Sequence, residues 1–275
     1  MEDSSIGRIL DADTIEHIKG LARQKHNEYN KLNDVIGSQI FNILEYNSRV
    51  LYYPLEDDDV WGFAEKIKGQ SFVCINTSIP YDKQVFAAAH ELYHLWFNGE
   101  KELILSSSLE AEETSYQINE NELKANRFAA EFLVEENLLR QEMKTYDISK
   151  DNISIKEILR LSTLFLVPYK TMVRRLKEIK IFNKPSYEKF SSVSKEQIEI
   201  WRTRLGIRLP VRENKIGLDN LVDKAMELYE KKLITIEKLE YLLSFADLSI
   251  EQLGIETAPV YVPPTDEELQ LIMEE

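Results

Sequence analysis

Residues 90–94 read His-Glu-Leu-Tyr-His, so two histidines lie four positions apart. In an α-helix this spacing puts His90 and His94 one turn apart on the same face, where both imidazoles can reach one metal ion. Glu91 follows His90 directly and is rotated by about 100° around the helix axis. That offset suits a carboxylate that acts beside the metal rather than one that binds it. The pattern therefore predicts a metal site with Glu91 next to it.

A catalytic metal site of this type needs a third protein ligand and an open fourth position. Glu100 lies six residues after His94, which is the spacing of metalloproteases whose chain turns directly after the metal-binding helix. Those enzymes need glycine three residues after the second histidine. Phe97 occupies that position here and continues the helix. Glu100 is therefore the weaker of two candidates.

Glu122 is the stronger candidate for the third ligand. It opens a helical segment in which Ala125 and Ala129 lie on the same face. Small residues on that face allow the helix to approach the histidine helix closely, which brings a carboxylate within coordination distance. Asn126, one turn after Glu122, is placed to support a ligand from behind.

Two stretches resemble the ImmA/IrrE family of metallopeptidases. Residues 84–94 read Gln-Val-Phe-Ala-Ala-Ala-His-Glu-Leu-Tyr-His, and residues 122–133 read Glu-Leu-Lys-Ala-Asn-Arg-Phe-Ala-Ala-Glu-Phe-Leu. The flanking segments 72–76 and 161–176 match the family pattern more weakly, and the resemblance covers about residues 60–182.

By matching positions, the resemblance implies a zinc peptidase in which His90, His94 and Glu122 bind Zn²⁺ and Glu91 is the catalytic carboxylate. Enzymes of this family cleave a helix-turn-helix repressor and so derepress stress-response or mobile-element genes. The expected partner is therefore a protein substrate of that kind. Tyr93 departs from the family, which usually has glycine there, and this leaves the substrate preference open.

Peptide hydrolysis in such a site also needs a way to hold the substrate. Residues 71–76 have the pattern of a β-strand, and as an edge strand they would pair with an extended substrate backbone. A tyrosine is the expected stabiliser of the oxyanion, because His17 and His26 lie far away in the sequence. The nearest tyrosines are Tyr81, Tyr93 and Tyr116, and the sequence does not choose among them.

The composition sets limits on other functions. The chain has 34 Lys and Arg against 48 Asp and Glu, a formal net charge of −14, so it does not bind nucleic acid through its overall field. Cys74 is the single cysteine, which excludes an intrachain disulfide. The first residues lack a signal-peptide pattern and no apolar run could span a bilayer, so we expect a cytoplasmic protein.

The periodicity predicts an α+β fold that is mostly α, with a zincin-like core. A small antiparallel sheet packs on the histidine helix, and helical C-terminal modules follow. We expect loops or linkers at about 98–119 and 183–194. Four regions are predicted: an N-terminal helical region at 1–47, the metallopeptidase domain at 48–150, a helix-turn-helix-like region at 151–185, and a C-terminal helical module with an acidic tail at 186–275.

Two other functions fit parts of the sequence. Between Lys156 and Lys180 the chain carries seven basic residues against two acidic ones, within a pair of predicted helices. This permits a weak local DNA contact through 155–181, or a DNA-binding regulator that uses Arg174 and Arg175. A folded pseudo-enzyme that sequesters a repressor or toxin is the remaining alternative, although such a binder has no need of Glu91.

Overall fold

The computed structural model describes residues 10–29, 34–67, 69–97, 104–107, 120–212, 215–216, 221–246 and 248–255. The chain divides into two compact units, residues 1–218 and 219–275. The helices of the first unit are α1 (Ala12–Glu28), α2 (Ile40–Asn47), α3 (Tyr81–Phe97), α4 (Glu120–Leu133), α5 (Glu136–Thr145), α6 (Ile155–Phe165), α7 (Tyr169–Glu178), α8 (Lys184–Ser191) and α9 (Lys195–Arg204). Its strands are β1 (Arg49–Tyr53), β2 (Val60–Ile67), β3 (Gln70–Asn76), β4 (Ile104–Ser107) and β5 (Lys215–Ile216).

The five strands form one sheet in the order β4-β2-β3-β1-β5. This confirms the predicted α+β class that is mostly α, but the sheet is mixed rather than antiparallel. Strands β2 and β3 form an antiparallel hairpin, whereas β1 runs parallel to β3 with Arg49 opposite Phe72. The predicted antiparallel direction of the strands was wrong for β1. Alternation of apolar and polar residues identifies a strand, but it does not show in which direction the neighbouring strand runs.

The position of β3 corrects a second expectation. It lies between β2 and β1, and both of its edges are paired along the ladder. A substrate backbone therefore cannot add to residues 71–76, because their hydrogen-bonding groups are already used within the sheet. Hydrophobic patterning suggests burial, but it does not distinguish a central strand from an outer one.

Helix α3 carries the two histidines and packs between the sheet and α4. Val85, Ala88, Ala89 and Leu92 recur at helical spacing and are completely buried. Alanines on this helix allow close approach of its neighbours, and Ala125 and Ala129 do the same on α4, where both are fully buried. The close contact of α3 and α4 follows from this pairing of small residues.

Two local predictions differ from the structure. Residues 104–107 within the predicted loop form β4, which pairs with β2. The predicted linker at 183–194 contains α8, whose Asn183 accepts a hydrogen bond from the Ser186 amide at its start. The helical segment that contains Glu122 ends at Leu133, and α5 begins after residues 134–135 because the Glu135 side chain caps a new helix. Pro168 directly precedes α7.

The second unit contains α10 (Leu221–Glu230) and α11 (Ile236–Ser244), which pack around Ala225, Leu239, Leu243 and Ile250. The predicted acidic tail at 256–275 lies outside the described residues. Division of the chain into four regions remains a prediction. Among the described helices, none has both the length and the apolar character needed to cross a bilayer.

Candidate metal centre

His90, His94 and Glu122 converge between α3 and α4. The Nε2 atoms of the two histidines are 3.0 Å apart, His90 Nε2 is 3.0 Å from Glu122 Oε2, and His94 Nε2 is 3.3 Å from Glu122 Oε1. Both imidazoles are buried, whereas the carboxylate is partly accessible. Glu122 is therefore the most exposed of the three side chains.

The spacing of these donors fits a single metal ion. Nitrogen and oxygen ligands lie about 2.0–2.1 Å from Zn²⁺ in a tetrahedral site, which places neighbouring ligand atoms about 3.3 Å apart. The two histidine nitrogens are 3.0 Å apart, each lies 3.0–3.3 Å from one of the two Glu122 oxygens, and one ligand atom from each residue lies within 4.8 Å of the others, which is close to that geometry. Two imidazole nitrogens and one carboxylate oxygen are also the ligand types that zinc accepts in catalytic sites. The described residues can hold a metal here.

Asn126 fixes the orientation of the first histidine. Its Oδ1 atom lies 2.7 Å from His90 Nδ1, and because an amide oxygen only accepts, the imidazole donates through Nδ1. A neutral ring that carries its proton on Nδ1 presents a lone pair at Nε2, which is the atom that faces His94 and Glu122. Partners of this kind hold a ligand ring in place and raise its basicity.

The electrostatics of the site favour a cation. Burial by itself would raise the pKa of Glu122, but its hydrogen bonds with His90 and His94 outweigh burial and lower that pKa to about 2. Burial would also lower the pKa of His90, yet the hydrogen bond with Glu122 and the charge of Glu91 raise it overall. The carboxylate is thus ionised at neutral pH and attracts positive charge into the triangle of donors.

Glu91 is completely buried beside this site. Its charge contributes to the raised pKa of His90, and burial together with Glu91 raises the pKa of the Cys74 thiol to about 11. Since Cys74 is in β3, Glu91 lies on the face of α3 that is turned towards the sheet, as its rotation around the helix requires. A carboxylate in such a setting is a candidate proton acceptor.

Comparison with known proteins agrees with this arrangement. A family model described as the IrrE N-terminal-like domain, Peptidase_M78, matches residues 44–177. Residues 44–177 are therefore similar to the ImmA/IrrE family of metallopeptidases. All three donors and Glu91 lie inside the matched segment, whereas α1, α8, α9 and β5 lie outside it. A comparison with curated proteins gives no match.

The tyrosines considered as helpers of this peptidase domain have different positions. Tyr81 packs its ring against Phe41 with centroids 5.5 Å apart, which places it in the core beside the sheet. Tyr93 lies beside the second histidine, its ring 5.8 Å from that of His94. Tyr116 lies outside the described residues. Between Tyr81 and Tyr93, it is Tyr93 whose ring contacts a predicted metal ligand.

His17 lies far from His90 in the sequence, yet α1 packs on α4 and places His17 in the same cavity as Tyr93. The signal that could have shown this was the apolar face of α1 at Ile18 and Ala22, both of which are buried. A buried helix face indicates packing but does not identify the partner helix. The expectation that a tyrosine stabilises the oxyanion stays a prediction.

The basic segment that follows the site has a structural role. Arg175 is completely buried and donates to Glu131 of α4, to Glu178, and through Nε to the Val134 carbonyl at 2.9 Å. Arg127 pairs with the same two glutamates. Six of the ten residues of α7 are buried. Arg175 is therefore not available for DNA contact, whereas Arg174 is half-buried and Lys177 is exposed on the same helix.

Proposed function

We propose that the chain is a zinc-dependent endopeptidase that cleaves a regulatory protein, with a helix-turn-helix transcriptional repressor as its substrate. The observation that supports this proposal most directly is the triangle of His90, His94 and Glu122 donors at close to tetrahedral spacing, inside a segment that is similar to a peptidase family. The buried carboxylate of Glu91 next to that triangle supports catalysis rather than binding alone.

Each residue has a distinct role in the proposed reaction. His90, His94 and Glu122 would hold Zn²⁺, which when bound lowers the pKa of a water molecule to about 7 and polarises the substrate carbonyl. Glu91 accepts the proton of the attacking water and delivers it to the nitrogen of the leaving amine. Asn126 holds His90 in the tautomer that leaves Nε2 available.

Charge supports the substrate class. The chain has a net charge of −14, whereas a DNA-binding repressor exposes a basic surface for phosphate contacts. Electrostatic fields of opposite sign accelerate the encounter of two proteins, whereas an acidic chain repels other acidic proteins. The enzyme would therefore meet the repressor through the same surface that the repressor offers to its operator.

The test compares the wild-type chain with Glu91→Gln. Both proteins are loaded with zinc, their metal content is measured by plasma mass spectrometry, and each is incubated with a helix-turn-helix repressor encoded beside the gene. We expect about one zinc per chain in both proteins and repressor fragments only with the wild type. Glu65→Gln, on the exposed face of β2, is the matched control and should cleave normally.

Other outcomes would favour different functions. Repressor that binds equally to both proteins, remains intact and is not released by a chelator would indicate a sequestering module. Salt-dependent DNA binding by the chain would favour a DNA-binding regulator, although the burial of Arg175 argues against the surface first considered for it. Absence of stoichiometric metal in the wild type would contradict the enzyme proposal itself.

A further inference from the structure

A cavity of about 470 Å³ lies where α1, the second half of α3 and the start of α4 meet. Apolar side chains form much of its wall, and His17 and Lys124 add polar groups. This volume is within the range of about 300–1,000 Å³ that is typical of ligand-binding pockets. The apolar residues of the wall are Ile18, Leu21, Tyr93 and Phe97.

The cavity adjoins the candidate metal centre through Tyr93, whereas the three predicted ligands are not among its lining residues. Tyr93 precedes the ligand His94, and their rings meet edge to face at 5.8 Å. Lys124 follows the ligand Glu122 by two residues on α4 and lines the same cavity. A chain whose peptide bond lies at the metal centre could therefore place a neighbouring side chain in this cavity.

The chemistry of the wall selects an uncharged side chain. The rings of Tyr93 and Phe97 have centroids 5.4 Å apart and both pack against Phe128, so an aromatic or long aliphatic group in the cavity would extend an existing aromatic cluster. Asp13 and Lys124 contribute opposite charges, so the cavity has no strong preference for an anion or a cation. Large apolar side chains such as Phe, Tyr, Leu and Met are the expected occupants.

Helix α1 is held firmly enough to act as one wall. The Asp11 carboxylate caps its first turn by accepting from the Thr14 amide at 2.7 Å. At its other end, His26 Nε2 donates to the Phe132 carbonyl of α4 at 2.6 Å, and both residues are buried. Helix α1 precedes the segment matched by the family model, so that match does not include this wall.

We infer that this cavity receives a large apolar, preferably aromatic, side chain of the protein substrate next to the bond that is cut. The inference rests on the proposed peptidase function. Tyr93 and the residues of α1 then determine specificity, whereas His90, His94, Glu122 and Glu91 carry out the chemistry.

The first test is a cleavage profile. The zinc-loaded full chain digests a mixture of proteome-derived peptides, and the cut positions are identified by mass spectrometry. We expect Phe, Tyr, Leu and Met to be enriched at one fixed position relative to the cut. Leu21→Trp fills the cavity and should reduce that enrichment by about 10-fold or more. Leu164→Trp, a partly buried leucine of α6 outside the cavity, is the matched control.

A binding test gives a readout that does not require activity. Saturation-transfer NMR compares N-acetyl-phenylalaninamide with N-acetyl-alaninamide on the full chain, in the wild type and in both tryptophan variants. We expect a signal for the phenylalanine compound only, retained in Leu164→Trp and lost in Leu21→Trp. His17→Trp, an exposed position at the same cavity, replaces Leu21→Trp if the latter unfolds in a thermal melt.

The outcomes separate the two proposals. Cleavage without a fixed apolar position, or a profile that the cavity-filling variants leave unchanged, overturns the specificity pocket and leaves the peptidase proposal intact. Equal NMR signals from the two amides, or equal signals in the wild type and the cavity variants, also overturn the pocket. No cleavage by the wild type, with binding as expected, contradicts the proposed function while the cavity still selects apolar groups.

Discussion

Helix α4 presents a shielded carboxylate near each end, and the two differ in their partners. Near the start, Glu122 faces the Nε2 atoms of two imidazoles. Near the end, Glu131 is surrounded by the guanidinium groups of Arg127 and Arg175. Guanidinium groups always carry their charge and donate in a fixed fork, so Glu131 is neutralised within the protein. The acid at the start of the helix has no permanent cation among its described contacts.

This difference shows how similar residues serve stability in one place and chemistry in another. The cluster of Glu131, Glu178 and two arginines joins α4 to α7 with permanent charges, and its contribution to folding is fixed. In the donor triangle, by contrast, a proton and a metal ion compete for the same lone pairs. Addition of a divalent cation would therefore change the charge of the donor triangle and leave the cluster of Glu131, Glu178 and the two arginines unchanged.

The largest expected effect is on folding. Arg175→Met removes one buried partner and leaves Glu131 with less compensation, which should lower the free energy of unfolding by about 3–5 kcal/mol. Urea denaturation measures this loss. Arg174→Met on the same helix is half-buried and should change stability by less than about 0.5 kcal/mol. Equal losses in the two variants would show that the ion-pair cluster does not have the role assigned to it.

The second prediction concerns metal-dependent stability. Zinc at 100 times its dissociation constant should raise the free energy of unfolding of the wild type by about 2.7 kcal/mol. Glu122→Gln should abolish most of this gain, since it removes the charged ligand. Glu131→Gln lowers the starting stability but should keep the gain. Thermal melts with zinc and with chelator provide the measurement, and a gain that survives Glu122→Gln would rule this residue out as a ligand.

A smaller effect is expected for the residue behind His90. Asn126→Ala removes the acceptor of the Nδ1 proton and should weaken zinc binding by about 10- to 100-fold. Competition with a fluorescent chelator gives the affinity. Asn137→Ala, at an exposed position of α5, is the matched control and should bind zinc like the wild type. The assigned tautomer of His90 would be wrong if both variants bound zinc equally well.

The smallest effect concerns the charge of Glu91 in the metal-free protein. Burial and the Glu91 carboxylate raise the pKa of Cys74 to about 11, so the native thiol should react slowly with alkylating reagents at pH 8. Glu91→Gln removes the negative charge, lowers the thiol pKa and should accelerate alkylation modestly. The pH dependence of the alkylation rate measures both values. An unchanged profile would mean that Glu91 is neutral in the fold.

Local patterns were enough to identify three side chains that the fold brings together and that could hold a metal ion. The spacing of His90 and His94 places them on one face of α3. Ala125 and Ala129 indicate that α4 packs closely on α3, which brings Glu122 near the two histidines. Strand β3 and most helices were also recognisable from periodicity, whereas β4 was not. These features depend on neighbours within about one or two helical turns, where sequence and geometry are directly related.

Contacts between distant segments could not be predicted in the same way. The pairing of Arg175 with Glu131, the parallel alignment of β1 with β3 and the arrival of His17 beside Tyr93 all depend on which elements pack together. A single sequence shows that each element has an apolar face but not what covers it. The proposed substrate cavity therefore cannot be predicted from the sequence alone, because it forms only where three separate helices pack together.

The segment after the family match has a consequence for work with a minimal catalytic fragment. Arg202 of α9 neutralises the buried Asp82 at the start of α3, and β5 covers the outer edge of β1. A fragment that ended at residue 177 would leave a buried acid in the first turn of the histidine helix without its counter-ion. It would also leave a sheet edge open to self-association. Such a fragment would aggregate and understate the activity of the full chain.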